Sequence, residues 1–420
     1  MIRDCDIIIF SLSRWDAPYS SPSFSLAKEF AKHNRVFYID HPFSVKDFFA
    51  EFNSPRVRQR AKALLAGEEI YTRVPDLPEK LTIVTTGLTL PINFLPAGGV
   101  YDFFARLNDA IVFTTMRRII RDHGVDEFVF LNAFDPYFCR DFPDDIKPLR
   151  KIYQSMDDLT QVAYTARHGT RLEEDIIRKF DVTLTTSQEL KRLKSLYSDA
   201  VYYHPNAADT ITFQQALMVD YPRPPELFPA MGKKIIGYTG NIESRIDYEL
   251  LKNILESHPD KYLVMVGPVT TDEHKTIGLT EFPNVIMVGP KRIHELPQYL
   301  QYFDCALIPF KKNILTKSIY PLKINEYLAA GRPVVTTDFS NDIKSFREVV
   351  YIADNNADFV QLIDNAIDEH DGNKIRERVF LARRNTWKAR VEEFWNILER
   401  DTPHSKVIPM NNDIHELAER

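Results

Sequence analysis

Cysteine is scarce in this chain. Cys5, Cys139 and Cys305 lie far apart among 420 residues, so neither a disulfide framework nor a zinc site built on paired spacing is indicated. No apolar run approaches the roughly 18 residues of a membrane-spanning helix. The start, Met1 to Phe10, has two aspartates before a short apolar stretch, whereas a signal peptide needs cations and a longer apolar core. Positive charge does not prevail either. Fifty-three Lys and Arg face 59 Asp and Glu, a net charge of −6, which argues against a nucleic-acid partner. His33, His123 and His168 fit no triad and no metal spacing. What remains is 44% hydrophobic and 27% charged, the composition of a soluble globular protein. The chain reads as cytoplasmic, and its length suits two or three domains of about 150 residues each.

Short β-rich runs alternate with helical patterns throughout. Strands are expected at Ile7–Phe10, Arg35–Asp40, Leu81–Val84, Phe128–Leu131, Lys151–Gln154, Val182–Thr185 and Val201–His204. Helices fall between them, the first running over Phe24–Lys32 with Ser23 as its cap, and others around 101–123, 171–180 and 187–198. The stretch from Phe43 to Pro78 is less regular and reads as an insertion. Four prolines between 222 and 229 then break the pattern, since neither a helix nor a central strand tolerates them. Alternation resumes at Lys234–Tyr238 and continues through Tyr262–Val266, Val285–Val288, Cys305–Pro309, Pro333–Thr336 and Val350–Ala353. The expectation is an α/β protein of two doubly wound, Rossmann-like domains: 1–220, a linker at 221–232, and 233–374. A helix over 375–400 packs back on the first domain, and 401–420 is a polar tail. Ligands in such sheets bind beyond the carboxyl ends of the strands, here in a cleft between the domains.

The most informative stretch is Ile308 to Lys312 followed by Pro321–Thr337, PLKINEYLAAGRPVVTT. It reads as strand, loop, helix, glycine turn, strand, with Pro321 at a helix start and Gly331-Arg332-Pro333 ending it. Lys323 and Glu326 are three apart and share one helix face. A cation beside the positive end of a helix suits phosphate, and a carboxylate suits a ribose diol. An ordinary surface ion pair fits the same spacing.

This segment resembles the signature of GT-B glycosyltransferases, specifically the retaining glycosyltransferase family 4, and within it the subset that includes teichuronic-acid glycosyltransferases. The family pattern is a Glu, seven residues, then a second Glu that binds the ribose of the sugar nucleotide. Glu326 matches the second, while Ser318 stands where the first is expected. Ile236–Asp247 resembles the family's first donor loop, with Gly240 at a backbone-to-diphosphate approach, Asn241 in place of the usual Arg, and Arg245 within a residue of the usual Lys. Leu263–Pro268, which contains Gly267, resembles the next strand and loop. Val288–Pro297, with Lys291, Arg292 and Ile293, resembles the loop that cups the nucleobase. His204–Asp209 resembles "xPNGVD" with Ala207 replacing Gly, and Phe380–Trp387 resembles the helix that returns to the first domain.

The resemblance implies transfer of a sugar, with retention, from a nucleotide-sugar to a glycan or lipid-linked acceptor in cell-surface polysaccharide synthesis. No cofactor and no essential metal are expected. Asp4-Cys5-Asp6 has the spelling of a metal motif but precedes its strand rather than following it. Arg245, Lys323 and the helix start at Leu322 would stabilise the leaving diphosphate. Asp157 falls where the family often has a His near the reacting sugar. It would bind acceptor hydroxyls or act as a base, or else be a helix cap. Arg14 and Trp15, after the first strand, suit a charge clamp and a sugar-stacking platform in the cleft, or a structural role.

Arg56, Arg58, Arg60 and Lys62 stand near Phe43, Phe48, Phe49, Phe52 and the stretch Ile92–Pro96. Such a face suits peripheral contact with an anionic membrane, the inner side of the plasma membrane, or else a solvated helix over an ordinary core. Two other functions stay open: a non-catalytic sugar-nucleotide-binding module and a nucleotide-sugar epimerase of the same fold.

Overall fold

The computed structural model describes residues 2–17, 21–161, 165 and 167–401. Among them the chain forms two sheets. The first comprises β1 (Asp6–Ser11), β2 (Val36–Ile39), β3 (Tyr71–Thr72), β4 (Leu81–Val84), β5 (Phe128–Ala133), β6 (Arg150–Ser155), β7 (Val182–Thr185) and β8 (Val201–Tyr203). Their order is β3-β4-β2-β1-β5-β6-β7-β8, parallel except for β3 against β4. The second comprises β9 (Ile235–Thr239), β10 (Tyr262–Val266), β11 (Val285–Gly289), β12 (Cys305–Ile308), β13 (Val334–Thr337) and β14 (Tyr351–Ala353). It is parallel throughout, in the order β11-β10-β9-β12-β13-β14.

Parallel strands covered on both faces are near-continuous apolar runs, and Ile7–Phe10 within β1 shows why. Ile7 and Ile9 enter one core with Phe30, Phe394 and Trp395, while Ile8 and Phe10 enter another with Phe113, Met116 and Phe130. The second sheet is buried in a single larger core, in which Ile235, Val264, Leu307 and Val335 are fully buried. The three cysteines are all buried and free. No helix among the described residues is long and apolar enough to cross a membrane.

Several boundaries differ from the sequence expectation. The first helix is Pro22–Phe30, and its cap is Ser21, not Ser23, because Pro22 fits the first helical turn and Ser21 accepts from the Phe24 N–H at 3.2 Å. Thr210–Met218 precedes the proline break, yet its Phe213 and Ala216 lie in the second core. The helix expected over 375–400 is two helices. Gly372–Arg383 stays with the second domain, and Trp387–Arg400 crosses to the first, placing Val391, Phe394, Trp395 and Leu398 in its core. Thr386 caps the second of these by accepting from the Ala389 N–H at 3.2 Å, and this local bond competes with continued helix. The linker itself winds into a 3₁₀ helix at Pro225–Ala230. The 401–420 tail lies, apart from Asp401, outside the described residues.

The crossing helix is held at both ends of its buried stripe. The rings of Phe394 and Trp395 stand 4.9 and 5.8 Å from Phe30, edge to face, and Arg3 pairs with Glu392 and Glu399 at 2.9 and 2.6 Å. Trp395→Ala is expected to cost the first domain about 3–5 kcal/mol, whereas Arg3→Ala at this exposed pair costs at most about 1 kcal/mol. Urea denaturation followed by tryptophan fluorescence and circular dichroism ranks the two.

Candidate functional site

The site is built at the carboxyl ends of β9, β10 and β11, where the backbone is packed unusually close. The Gly240 N–H donates to the Val266 carbonyl and the Gly267 N–H to the Gly289 carbonyl, both at 2.9 Å. Gly267 has φ +154°, and a Cβ there would lie 1.9 Å from the Gly240 oxygen. Gly240 has φ +122°, and a Cβ on it would lie 2.9 Å from Lys323 Cε. The two glycines therefore do one job together: Gly267 admits the Gly240 turn, and Gly240 leaves room for the lysine above it.

Lys323 comes from the helix Leu322–Ala329, which begins after Pro321 with no side-chain cap on its first N–H groups. Its Nζ stands 5.2 Å from the ring centres of both Tyr238 and Phe310. Burial lowers its pKa, and Glu326 opposes that shift. One turn on, burial pushes the Glu326 carboxyl up to about 7 against the pull of Lys323. Neither charged group forms a hydrogen bond or ion pair among the described residues.

A residue of the other domain lies near Arg245, itself an electrostatic neighbour of Lys323. Asp157 follows β6, and burial raises its pKa to about 6 although Arg245 draws it down. Arg245 is held at 2.7 Å by Glu243. Burial works against its charge, but Glu243, and then Asp157, hold its pKa above the usual value. The predicted residues Asp157, Arg245, Lys323 and Glu326 are thus electrostatic neighbours across the interdomain cleft. Glu243 was not anticipated. Its signal was the Glu-x-Arg spacing in the donor loop, which places both side chains on one turn. Asp158, the neighbour of Asp157, is the turn-capping residue: its carboxylate accepts from the Thr160 N–H and hydroxyl at 3.0 and 2.7 Å.

A cavity of about 580 Å³ adjoins Glu326, lined on the donor side by Leu322 and Ile293 and on the other by Ser21, Ser25, Lys28 and Trp387. Other predicted residues are engaged elsewhere. Asn241 Oδ1 accepts from Thr270 at 3.1 Å, so the side chain braces the neighbouring loop. Lys291 pairs with Glu226 of the linker at 2.8 Å. Arg292 is exposed, and its N–H donates to Glu295 at 2.7 Å. Arg14 lies 3.6 Å over the Phe43 ring and donates to the His41 and Pro42 carbonyls, and Trp15 packs on the first core with its N–H on Asp40. Ser318 is 1% exposed at the end of the short helix Ile314–Lys317.

The basic cluster is also partly consumed. Arg60 is buried between Asp16 and Asp40 at 2.8 and 2.9 Å, Arg56 lies 3.9 Å from Asp16, and Lys62 pairs with Glu69. This leaves a face that is more apolar than basic, with Phe49, Phe52, Leu65 and Phe94 exposed.

Residues 233–369 match the family model described as glycosyl transferases group 1. A putative teichuronic acid biosynthesis glycosyltransferase of Bacillus subtilis, TuaH, is 31% identical over 170 residues; the match spans 40% of this chain and 41% of that protein's length. The fold is similar to that of an α,α-trehalose-phosphate synthase (UDP-forming) from Burkholderia vietnamiensis, with a TM-score of 0.68 and 10% identity over 96% of this chain and 99% of that one. It is also similar to Anabaena HepE in complex with UDP, with a TM-score of 0.61 and 11% identity over 94% of this chain and 100% of that one.

The Glu326 shift has a measurable consequence without any ligand. Its folded pKa, about 7, exceeds its ordinary 4.5, so between these values the folded state holds a proton that the unfolded state has released. Stability then falls as pH rises through that window. Glu326→Gln is expected to remove this slope, so that its advantage over the parent grows from pH 4.5 to about 7 and then levels. Urea midpoints at pH 5 and pH 8 read the difference.

Proposed function

We propose that this chain, whose residues 233–369 match the glycosyl transferases group 1 family model and whose fold is GT-B, moves a sugar with retention from a nucleotide-sugar to a glycan or lipid-linked acceptor in cell-surface polysaccharide synthesis. The observation that carries this reading is the set of three charged groups at the cleft that form no hydrogen bond or ion pair among the described residues, Lys323 and Glu326 from one domain and Asp157 from the other. Such charges cost stability when buried and are retained where a ligand completes them. A diphosphate beside Lys323, the uncapped helix start at Leu322 and Arg245 supplies the missing anion. A ribose diol donating to Glu326 supplies the missing donors, and the adjacent 580 Å³ cavity gives room for a nucleoside. The UDP bound by HepE and formed by the trehalose-phosphate synthase supports a nucleotide-sugar donor.

In the reaction, the bond from the anomeric carbon to the diphosphate breaks, and the acceptor oxygen bonds to the same face. The acceptor's proton passes to the leaving phosphate oxygen. Lys323 and the helix N–H groups stabilise the charge that develops on that phosphate. Arg245 joins them by sharing its guanidinium between Glu243 and the phosphate. Asp157, facing Arg245, holds an acceptor hydroxyl beside the anomeric carbon. These side chains supply the charge compensation, and no step calls for a metal.

Incubation with UDP-, GDP- and dTDP-sugars is expected to give slow hydrolysis or transfer with at least one donor. Lys323→Ala should lower kcat about 10²–10³-fold, the scale of losing one donor to a developing oxyanion, and a chelator should leave the rate unchanged. Binding without turnover on every donor and acceptor would favour the non-catalytic module instead. Contact with a membrane surface through Phe49, Phe52 and Phe94 belongs to the same reading. Flotation with vesicles containing phosphatidylglycerol should carry the protein upward, and Phe49→Ser with Phe52→Ser should abolish this. No flotation of the parent protein would end that part of the proposal.

A further inference from the structure

A second cavity, of about 560 Å³, runs along the carboxyl edge of the first sheet. It is lined by residues that follow four strands: His41 after β2, Leu12 after β1, Phe134 after β5 and Leu159 beyond β6. Leu159 is two residues past Asp157 in the chain, on the same loop after β6.

The turn after β5 is held in a conformation that bulky residues avoid. Phe134 has φ +66°. The Asn132 side chain fixes the turn by donating to the Asp135 and Phe138 carbonyls at 2.8 and 3.2 Å and accepting from the Asp135 N–H at 2.8 Å. A strained turn secured in this way is generally tied to function. Here it delivers the fully buried Asp135 carboxylate to His41 Nδ1 at 2.8 Å. Arg14 secures the other partner by donating to the His41 carbonyl at 3.0 Å. A carboxylate on Nδ1 fixes the proton there and leaves the Nε2 lone pair free. The ring is partly exposed and lines the cavity, and Nε2 has no partner among the described residues.

The remaining wall is mixed. Leu90, Ile92, Phe94 and Phe138 form an apolar stretch, Lys46, Asp47 and Arg167 add charge elsewhere, and Phe94 stands 70% exposed at the surface. The volume exceeds what one sugar ring needs and lies in the range of a larger organic ligand. An unpaired imidazole acceptor beside the apolar stretch of this wall, with Phe138 next to its ring, matches a hydroxyl carried by an apolar group.

We infer that this cavity receives the acceptor as an amphiphile, with a hydroxyl donating to His41 Nε2 and an attached aromatic or aliphatic group lying on Ile92, Phe94 and Phe138. This rests on the transferase reading above. His41 binds and orients the hydroxyl, and Asp135 acts through His41 by fixing its tautomer.

The test uses the full chain with 15N-labelled histidine and two probes, 4-nitrophenyl β-D-glucopyranoside and methyl β-D-glucopyranoside. The aryl glucoside is expected to shift the His41 Nε2 resonance saturably and to bind about tenfold more tightly than the methyl glucoside, a factor worth about 1.4 kcal/mol. His41→Gln and Phe94→Ser should each weaken it about fivefold or more in protein whose circular dichroism is unchanged. Asp135→Asn should mix the two tautomers, visible in the nitrogen shifts, which a merely structural carboxylate would not control. No shift, equal affinity for the two probes, or undiminished binding in folded His41→Gln would overturn the inference. UDP is titrated into the same samples: retained UDP binding then confines the failure to this cavity, while lost UDP binding in the parent protein indicts the donor site instead.

Discussion

The arrangement depends on one desolvated lysine. Lys323 lies on Gly240, between two aromatic rings, at the start of a helix whose first N–H groups have no side-chain cap. Burial disfavours its charge, and no hydrogen bond or ion pair among the described residues completes it. Every neighbouring feature reads as an accommodation to that position. Gly240 cannot carry a side chain beneath it, Gly267 cannot carry one beneath Gly240, and Glu326 sits one turn away, close enough to oppose the shift but not to form an ion pair.

The two domains meet this constraint differently. The second supplies fixed backbone and cations. The first contributes Asp157 on the loop after β6, and its edge is organised by buried polar bonds: Asp40 with Arg60, Asp135 with His41, and Asp158 with Thr160. These loops lie at the carboxyl ends of parallel strands, where the helical layers do not cover the sheet and polar groups can reach a ligand. Direct contacts also join the halves, with Lys317 on Glu189 at 3.0 Å and the Gln188 N–H on Asp342 at 3.2 Å. The crossing helix Trp387–Arg400 fastens them a second time.

Much of this was legible in the sequence, and the failures have physical causes. Continuous apolar runs such as Ile7–Phe10 announce strands buried on both faces, and Lys323 with Glu326 announces a shared helix face. Arg245 and Asp157 were each singled out separately, and the fold makes them electrostatic neighbours although they are 88 residues apart. What the sequence concealed was competition for partners. Arg14, Arg60 and Lys291 look like free cations in a one-dimensional reading, yet Phe43, Asp40 and Glu226 claim them. The break at Asn385-Thr386 was masked by helical periodicity on both sides, and only the capping bond reveals it. His41 was overlooked although it directly follows a strand, the very place where ligand-binding loops are expected.

The most direct measurement is calorimetric titration of UDP, GDP and dTDP into the parent protein and the Lys323→Ala/Glu326→Ala double variant, with folding checked by circular dichroism. The account predicts that at least one nucleotide binds the parent and that the double variant loses about 10²-fold or more of that affinity, since each lost charge-assisted contact is worth about 1.5–3 kcal/mol. Equal affinity in the two proteins would contradict it.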